Sequence, residues 1–241
     1  MNAKKHYDSH LARIYSWMAG DFAARTVEFC SFLESQHIRP SSSKIAIDLG
    51  AGDGAQSSAL AKGGFSVKAV DFNHDLLEEL KHNCKGQEIE TFEDDLMSIG
   101  KFVKQNPELI LCWGDTLTHL DTQGRIESFI EQCADTLAEG GKLILSFRDY
   151  SEKLNGDRRF IPVKSDSRRI LTCFLDYLPT HVMVTDIIHE FDGKNWQQKV
   201  SSYSKVRISP EEVMEILDNN SMEVIFQETV RGMVRMITVK N

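Results

Sequence analysis

The chain has 241 residues, 41% of them hydrophobic and 27% charged, and a formal net charge of −8. That length suits one α/β domain with a buried core, and the composition is that of an ordinary soluble globule. The acidity argues against a nucleic-acid polyanion as main partner, because such binders carry a basic face, and no apolar run reaches the ~20 residues of a membrane span.

In chain order, the N-terminal stretch to Ile38 reads helical, with Leu11, Ile14, Tyr15 and Met18 and then Phe22, Val27, Phe29, Phe32 and Leu33 at helical spacing. Gly20-Asp21 divides it into two helices, Asp21 capping the second. Residues 40–43, Pro-Ser-Ser-Ser, form a connector. An apolar strand, Ile45-Ala-Ile47, ends in Asp48 and runs into Gly50, Gly52 and Gly54, followed by a helix over Ala55 to Lys62. Such a strand, turn and helix let a ligand touch bare backbone. Gly50, Gly52 and Ala55 also satisfy a dinucleotide pattern, with Asp71 at the distance of its ribose acid. Glycine spacing leaves both a nicotinamide and a nucleoside ligand open. Asp48 leans against the diphosphate, since its charge suits a cation or hydrogen-bond donor better.

Strands and helices alternate to Phe147, which implies a mostly parallel sheet. Asn73 is placed to cap the helix that runs to Cys84. After Tyr150 four strands are expected, at 160–163, 169–178, 181–191 and 196–208, with turns at Leu178-Pro-Thr180 and Asp192-Gly-Lys-Asn195. Ser209-Pro-Glu-Glu212 opens a helix, and strands at 222–230 and 234–240 close the chain. The whole reads as a single domain over 1–241, with a helical cap over 1–40 and an antiparallel β insertion over 151–209.

Five motifs in register then carry a resemblance. Asp48-Leu-Gly-Ala-Gly-Asp-Gly54, Val67-Lys-Ala-Val-Asp71, Glu93-Asp-Asp-Leu96, Leu109 to Leu120 and Leu137 to Ser146 resemble, in order, the motifs of class I S-adenosylmethionine-dependent methyltransferases. The resemblance implies a Rossmann-like, mostly parallel seven-stranded sheet with an antiparallel last strand, and S-adenosylmethionine as cofactor. It gives Asp71 the ribose hydroxyls and Asp95 and Leu96 the adenine, with Asp94 as the alternative acid. Many relatives carry an acid where the loop after the fourth strand begins. Here Trp113-Gly114 stands there and Asp115 comes later, and the Asn/Asp-Pro-Pro signature of DNA amino methylases is missing. The wording from Trp113 to Leu120 is similar to the glycine N-methyltransferase-like, small-molecule branch.

The expected cofactor-binding set is Asp48, Gly50, Gly52, Gly54, Asp71, Asp95, Leu96, Trp113 and Arg25, and the expected catalytic set is His119, Arg148 and Tyr150. Methyl transfer from a sulfonium needs alignment and desolvation more than a nucleophilic relay. His119 reads as a base, a substrate contact or a loop anchor. Arg148 suits a carboxylate or pairs on the surface. Tyr7, His10, Tyr15, Trp17 and Arg25 cover the cofactor or form core. A basic stretch from Arg158 to Arg169 reads as solvated strand faces before a lid over an anionic substrate. The expected acceptor is a small molecule, anionic or zwitterionic; the rivals are transfer to protein or RNA, non-catalytic cofactor binding, and nicotinamide chemistry. No metal, nucleic acid or membrane is expected, and the sequence leaves the oligomeric state undecided. The five cysteines, none in a C-x-x-C pair, read as reduced thiols of a cytoplasmic protein, and Met1 to His6 lacks the apolar block of a signal peptide.

Overall fold

The strand pattern folds into two sheets that share the N-terminal segment between them. The computed structural model describes residues 3–241; Met1 and Asn2, which open the expected cap, lie outside the described residues. The large sheet holds β1 (Ile45–Leu49), β2 (Ser66–Asp71), β3 (Ile89–Glu93), β4 (Leu109–Cys112), β5 (Lys142–Arg148), β10 (Met222–Val230) and β11 (Met233–Lys240) in the order β10-β11-β5-β4-β1-β2-β3. β1 to β5 are parallel, and β11 runs against both β5 and β10. The strand order reverses between β1 and β4, so the crevice for a ligand lies at their carboxyl ends. The second sheet is an antiparallel meander of β6 (Phe160–Ser165), β7 (Arg169–Tyr177), β8 (His181–Phe191) and β9 (Trp196–Val206).

Local sequence sets the helix ends. Gly20, at φ 96°, breaks the N-terminal run, and the Asp21 carboxylate accepts from the Ala24 N–H to start α3 (Phe22–Ser35). Asn73 caps α5 (His74–Asn83) through the Leu76 N–H. Ser209 and Glu212 form a reciprocal capping box on α7 (Pro210–Asn219), with proline in the first turn. α4 (Ala55–Lys62) and α6 (Gln123–Thr136) complete the crossovers. Apolar positions on α6 and α7 cover one face of the large sheet around Phe129 and Phe147, and α3 and α4 cover the other around Phe29, Leu60 and Ile237. Truncating Phe129, which has no exposed surface, would cost about 3–5 kcal/mol in lost burial and cavity.

The first helical run differs from a regular amphipathic helix. α1 (Ala3–His6) passes into a π turn over Tyr7–Leu11, then a 3-10 turn over Ala12–Ile14, then α2 (Tyr15–Ala19). The changes of pitch turn His6, His10, Leu11 and Ile14 into the interior together. Leu11 and Ile14 pack on Leu171 and Ile188 of the second sheet.

Candidate active site

The floor of the site is the turn after β1. Gly50, Gly52 and Gly54 have φ values of 79°, 55° and 88°, a region that disfavours any side chain. A Cβ on Gly50 would sit 2.6 Å from Thr116 Cγ2, and one on Gly52 would sit 3.1 Å from the Tyr15 hydroxyl. Both glycines border a cavity of about 330 Å³ that lies over the turn. Gly54 does not border it; its backbone caps α4, and a Cβ there would strike Leu80 at 2.5 Å. Its role is packing, which corrects the expectation that it binds a ligand.

Carboxylates at the strand ends face the same cavity. Asp71 Oδ2 accepts from the Gly52 N–H and Oδ1 from the Asn73 N–H, each at 2.9 Å, which leaves lone pairs on both oxygens for a ligand. Burial raises its pKa, against the pull of those two N–H groups. Asp48 accepts from the Ser57 hydroxyl at 2.6 Å, and burial pushes its carboxyl up to about 7. Asp95 and Leu96 also border the cavity, and Asp95 starts a 3-10 segment over Leu96–Phe102 by accepting from the Met97 N–H. Asp94 turns away to Lys101 at 2.9 Å. Of the two acids expected near the adenine, Asp95 is the one at the cavity wall.

The N-terminal segment makes the roof, with Lys4, Tyr7, Tyr15 and Arg25 lining the cavity. His10 and Trp17 do not line it; the Trp17 indole donates to Asp166 at 2.6 Å. Arg25 grips both carboxylate oxygens of Asp53, one at 3.1 Å and the other closer still, and so fastens α3 to the glycine turn. Its Nε is buried without a partner. Trp113 borders the cavity while its ring packs on Phe29 at 4.8 Å and under Arg235 at 5.2 Å.

The loop after β4 is organised around Asp115, a residue in neither expected set. Asp115 is buried, with φ 73°. Its carboxylate accepts from the Thr118 hydroxyl and the Arg148 N–H, both at 2.8 Å, from the Tyr150 hydroxyl at 3.1 Å, and from Lys205 Nζ. Thr118 anchors the 3-10 turn Leu117–His119, so this network sets the position of His119. His119 lines the cavity, stacked on Tyr203 at 5.4 Å and edge-on to Tyr7 at 5.7 Å, with Nδ1 buried and unpartnered. Burial, then Lys205 and His6, hold its pKa well below the ordinary histidine value, so the ring is neutral.

Two expected catalytic residues lie elsewhere. Arg148 is exposed and outside the cavity, and its Nη1 reaches toward the Arg231 carbonyl at 3.5 Å. The strand end explains this: β5 is buried on both faces from Leu143 to Phe147, and Arg148, its last residue, lies beyond that cover, opposite Met233 of β11. Tyr150 is buried among Leu175, Val182, Val184 and Tyr203, with its hydroxyl on Asp115. The second sheet contributes no side chain to the cavity wall among the described residues. It stands behind the wall. His6, fully buried, has Nε2 3.0 Å from Asp186 Oδ2 and Nδ1 2.8 Å from Ser201 Oγ, which binds the roof to β8 and β9.

Residues 46–141 match the methyltransferase domain family. A glycine/sarcosine N-methyltransferase of Aphanothece halophytica is 27% identical over 109 residues, 44% of this chain and 41% of that protein. Those residues are thus similar in sequence to methyltransferase domains. The aligned region spans well under half the length of that curated relative. In fold, the chain resembles an S-adenosylmethionine-dependent methyltransferase of Clostridium acetobutylicum, with TM-score 0.75, 14% identity and coverage of 98% and 97% of the two chains. The cofactor-bound amino pentose methyltransferase CalS10 of Micromonospora echinaspora gives TM-score 0.75 and 13% identity, with 92% of each chain covered. The site suits S-adenosylmethionine on chemistry of its own. A Cβ would fill the Gly50–Gly52 floor, Asp71 keeps free lone pairs for a diol, and Asp48 sets a carboxylate where a dinucleotide would need a phosphate site.

Proposed function

We propose that this chain transfers a methyl group from S-adenosylmethionine to a small-molecule acceptor by direct displacement. One observation carries the reading: a single cavity extends from Asp71 and Asp95, over the Gly50–Gly52 floor, to His119, beneath Tyr7 and Tyr15. Asp71 would hold the ribose hydroxyls, Asp95 and the Leu96 N–H the adenine, and Asp48 the amino end of the cofactor. When bound, S-adenosylmethionine supplies a methyl group on a cationic sulfur that leaves as a neutral thioether. A buried carboxyl that titrates near neutrality, as Asp48 does, is readily ionised by a neighbouring cation.

His119 orients the acceptor. A ring this reluctant to take a proton is a poor proton sink but keeps a lone pair to accept a hydrogen bond from an N–H or O–H nucleophile. The Tyr7 ring against His119 and the roof above exclude water, which aligns the nucleophile. A roofed cavity also favours a small acceptor over a protein or RNA, as do the named activities of the relatives, which act on glycine, sarcosine and an amino pentose. An anionic acceptor held by Arg148 drops out with the position of that residue.

Calorimetry is expected to show S-adenosylhomocysteine binding and no NADH binding. Release of S-adenosylhomocysteine should then be measured with amino-acid and amino-sugar acceptors. Turnover with RNA or protein alone would replace the small-molecule reading, and NADH binding without S-adenosylhomocysteine binding would overturn it. His119→Ala should lower kcat roughly tenfold to hundredfold with the cofactor Kd unchanged.

A further inference from the structure

The second sheet has two faces, and the described chain covers one of them. Leu171 and Ile188 point inward to the N-terminal segment, and Leu175, Val182 and Val184 point inward to Tyr150. The alternate residues point outward, in register across all four strands: Pro162, Thr172, Ile187 and Val200 form one row, and Phe160, Phe174, Thr185 and Ser202 the next. An antiparallel sheet with a solvated face normally alternates apolar inside with polar outside. This one does not. Phe160, Ile170, Trp196 and Val200 on its outer face are 50%, 41%, 49% and 56% exposed. Among the described residues no lysine or arginine holds an outward strand position, and Asp176, at the rim, pairs with Arg159 at 3.5 Å.

We propose that this outer face is the interface of a homodimer, two copies packing their four-stranded sheets face to face about a twofold axis. Charge points to a second copy. The chain carries −8 overall, so two copies repel each other across most of their surfaces and approach at least cost through a face almost free of charge. The cation on that face, Arg159 over the Phe174 ring at 4.8 Å, is already paired with Asp176, which leaves little to hold a nucleic acid or an acidic headgroup. Shape points the same way, because a twisted sheet face is complementary to its own copy across a gap of about 10 Å, the strands crossing at roughly 30°. Area is sufficient. The four strands have 6, 9, 11 and 11 residues, so at about 3.4 Å per residue and about 4.8 Å between strands the face measures roughly 600 Å². Two such faces bury about 1,200 Å², at the lower bound of the ~1,200–2,000 Å² of stable interfaces.

The test does not depend on the proposed reaction. Sedimentation equilibrium of the full chain should give twice its 27.4 kDa at micromolar concentration. Ile187→Lys, at the centre of the face, and separately Thr172→Lys, which removes no apolar group, should each give the 27.4 kDa species with an unchanged far-UV spectrum. If Ile187→Lys does not fold, Thr172→Lys alone decides. A wild-type chain that stays monomeric, or a dimer that survives Thr172→Lys, overturns the proposal. So does a monomer that co-sediments with phosphatidylcholine vesicles, which would assign the face to a lipid surface.

Discussion

The N-terminal segment lies between two sheets that hold it in different ways. The large sheet meets it at the cavity, with strand-end carboxylates and bare backbone: Asp48, Asp71 and the Gly50–Gly52 turn on one side, Tyr7 and Tyr15 on the other. The small sheet meets it with packed and buried side chains, the His6–Asp186 pair and the cluster of Leu11, Ile14, Leu171 and Ile188. A ligand site must leave lone pairs and space unfilled, whereas a support must leave none. Removing a group from the first should change binding with little effect on folding, and removing one from the second should change folding first.

The largest effect is expected at Lys205, which joins β9 to the loop after β4. Lys205→Met leaves the Asp115 carboxylate buried without its cation, and breaking such a pair costs about 3–5 kcal/mol. Urea denaturation measures it. Lys205→Met combined with Asp115→Asn should recover much of the loss, because no charge is then stranded. A double variant as unstable as the single one would mean that packing, not charge, is what Lys205 supplies.

Asp48 tests the opposite property, a group kept at a cost to the fold. In the unfolded chain it ionises near the ordinary 3.8 and in the folded chain at about 7. Between those values the unfolded state loses a proton that the folded state keeps, so stability falls as pH rises from about 4 to 7 and the penalty is complete above that. Its ceiling is roughly 4 kcal/mol. Asp48→Asn, which can still accept from Ser57, should match wild type near pH 4 and exceed it near pH 8, while binding S-adenosylhomocysteine more weakly. A stability difference independent of pH would show that Asp48 is ionised in the fold throughout.

His6→Leu should cost about 2 kcal/mol by stranding the Asp186 carboxylate, which would keep the Cys173 thiol as a donor at 2.8 Å. Hydrogen exchange should then rise over residues 3–19 and leave β1 and β4 protected, with cofactor affinity falling as the roof loosens. Exchange rising equally through the large sheet would deny the roof an independent latch.

These predictions separate what local sequence reveals from what it hides. The strand-glycine-helix turn, the caps at Asp21, Asn73 and Ser209, and the Asp192 hairpin were all legible, because each is made by residues a few positions apart whose chemistry dictates the backbone. Asp71 was expected from the apolar run that puts it at a strand's carboxyl end, and Asp95, with Asp94 as its alternative, from the resemblance; Asp71 and Asp95 both border the cavity. The supports were not legible. His6 finds Asp186 across 180 residues and Lys205 finds Asp115 across 90, and no periodicity marks either partner. Asp115 stood inside a recognised loop, yet its part as the loop's anchor depends on strands that follow much later. The outer face of the small sheet was hidden differently. Its apolar residues read as ordinary strand formers, and only register and exposure together show Phe160, Ile170, Trp196 and Val200 left open on one face.

Arg148 gives the smallest expected effect and the sharpest check on where the site ends. Its backbone N–H donates to Asp115 Oδ1 at 2.8 Å, a bond that a side-chain substitution leaves in place. Its guanidinium is exposed, and its Nη1 lies 3.5 Å from the Arg231 carbonyl, so removing it strands no buried group. Arg148→Ala should therefore stay within about 0.5 kcal/mol of wild type in stability, as surface substitutions do. Cofactor Kd and acceptor KM should also stay within roughly twofold. A tenfold rise in KM with kcat unchanged would mean that the side chain swings to the acceptor in the working enzyme, and the case for an anionic acceptor would return with it. If KM is unchanged, recognition of the acceptor rests on the groups that do line the cavity near His119: the neutral imidazole, the Tyr7 ring and the backbone of the loop that Asp115 holds in place.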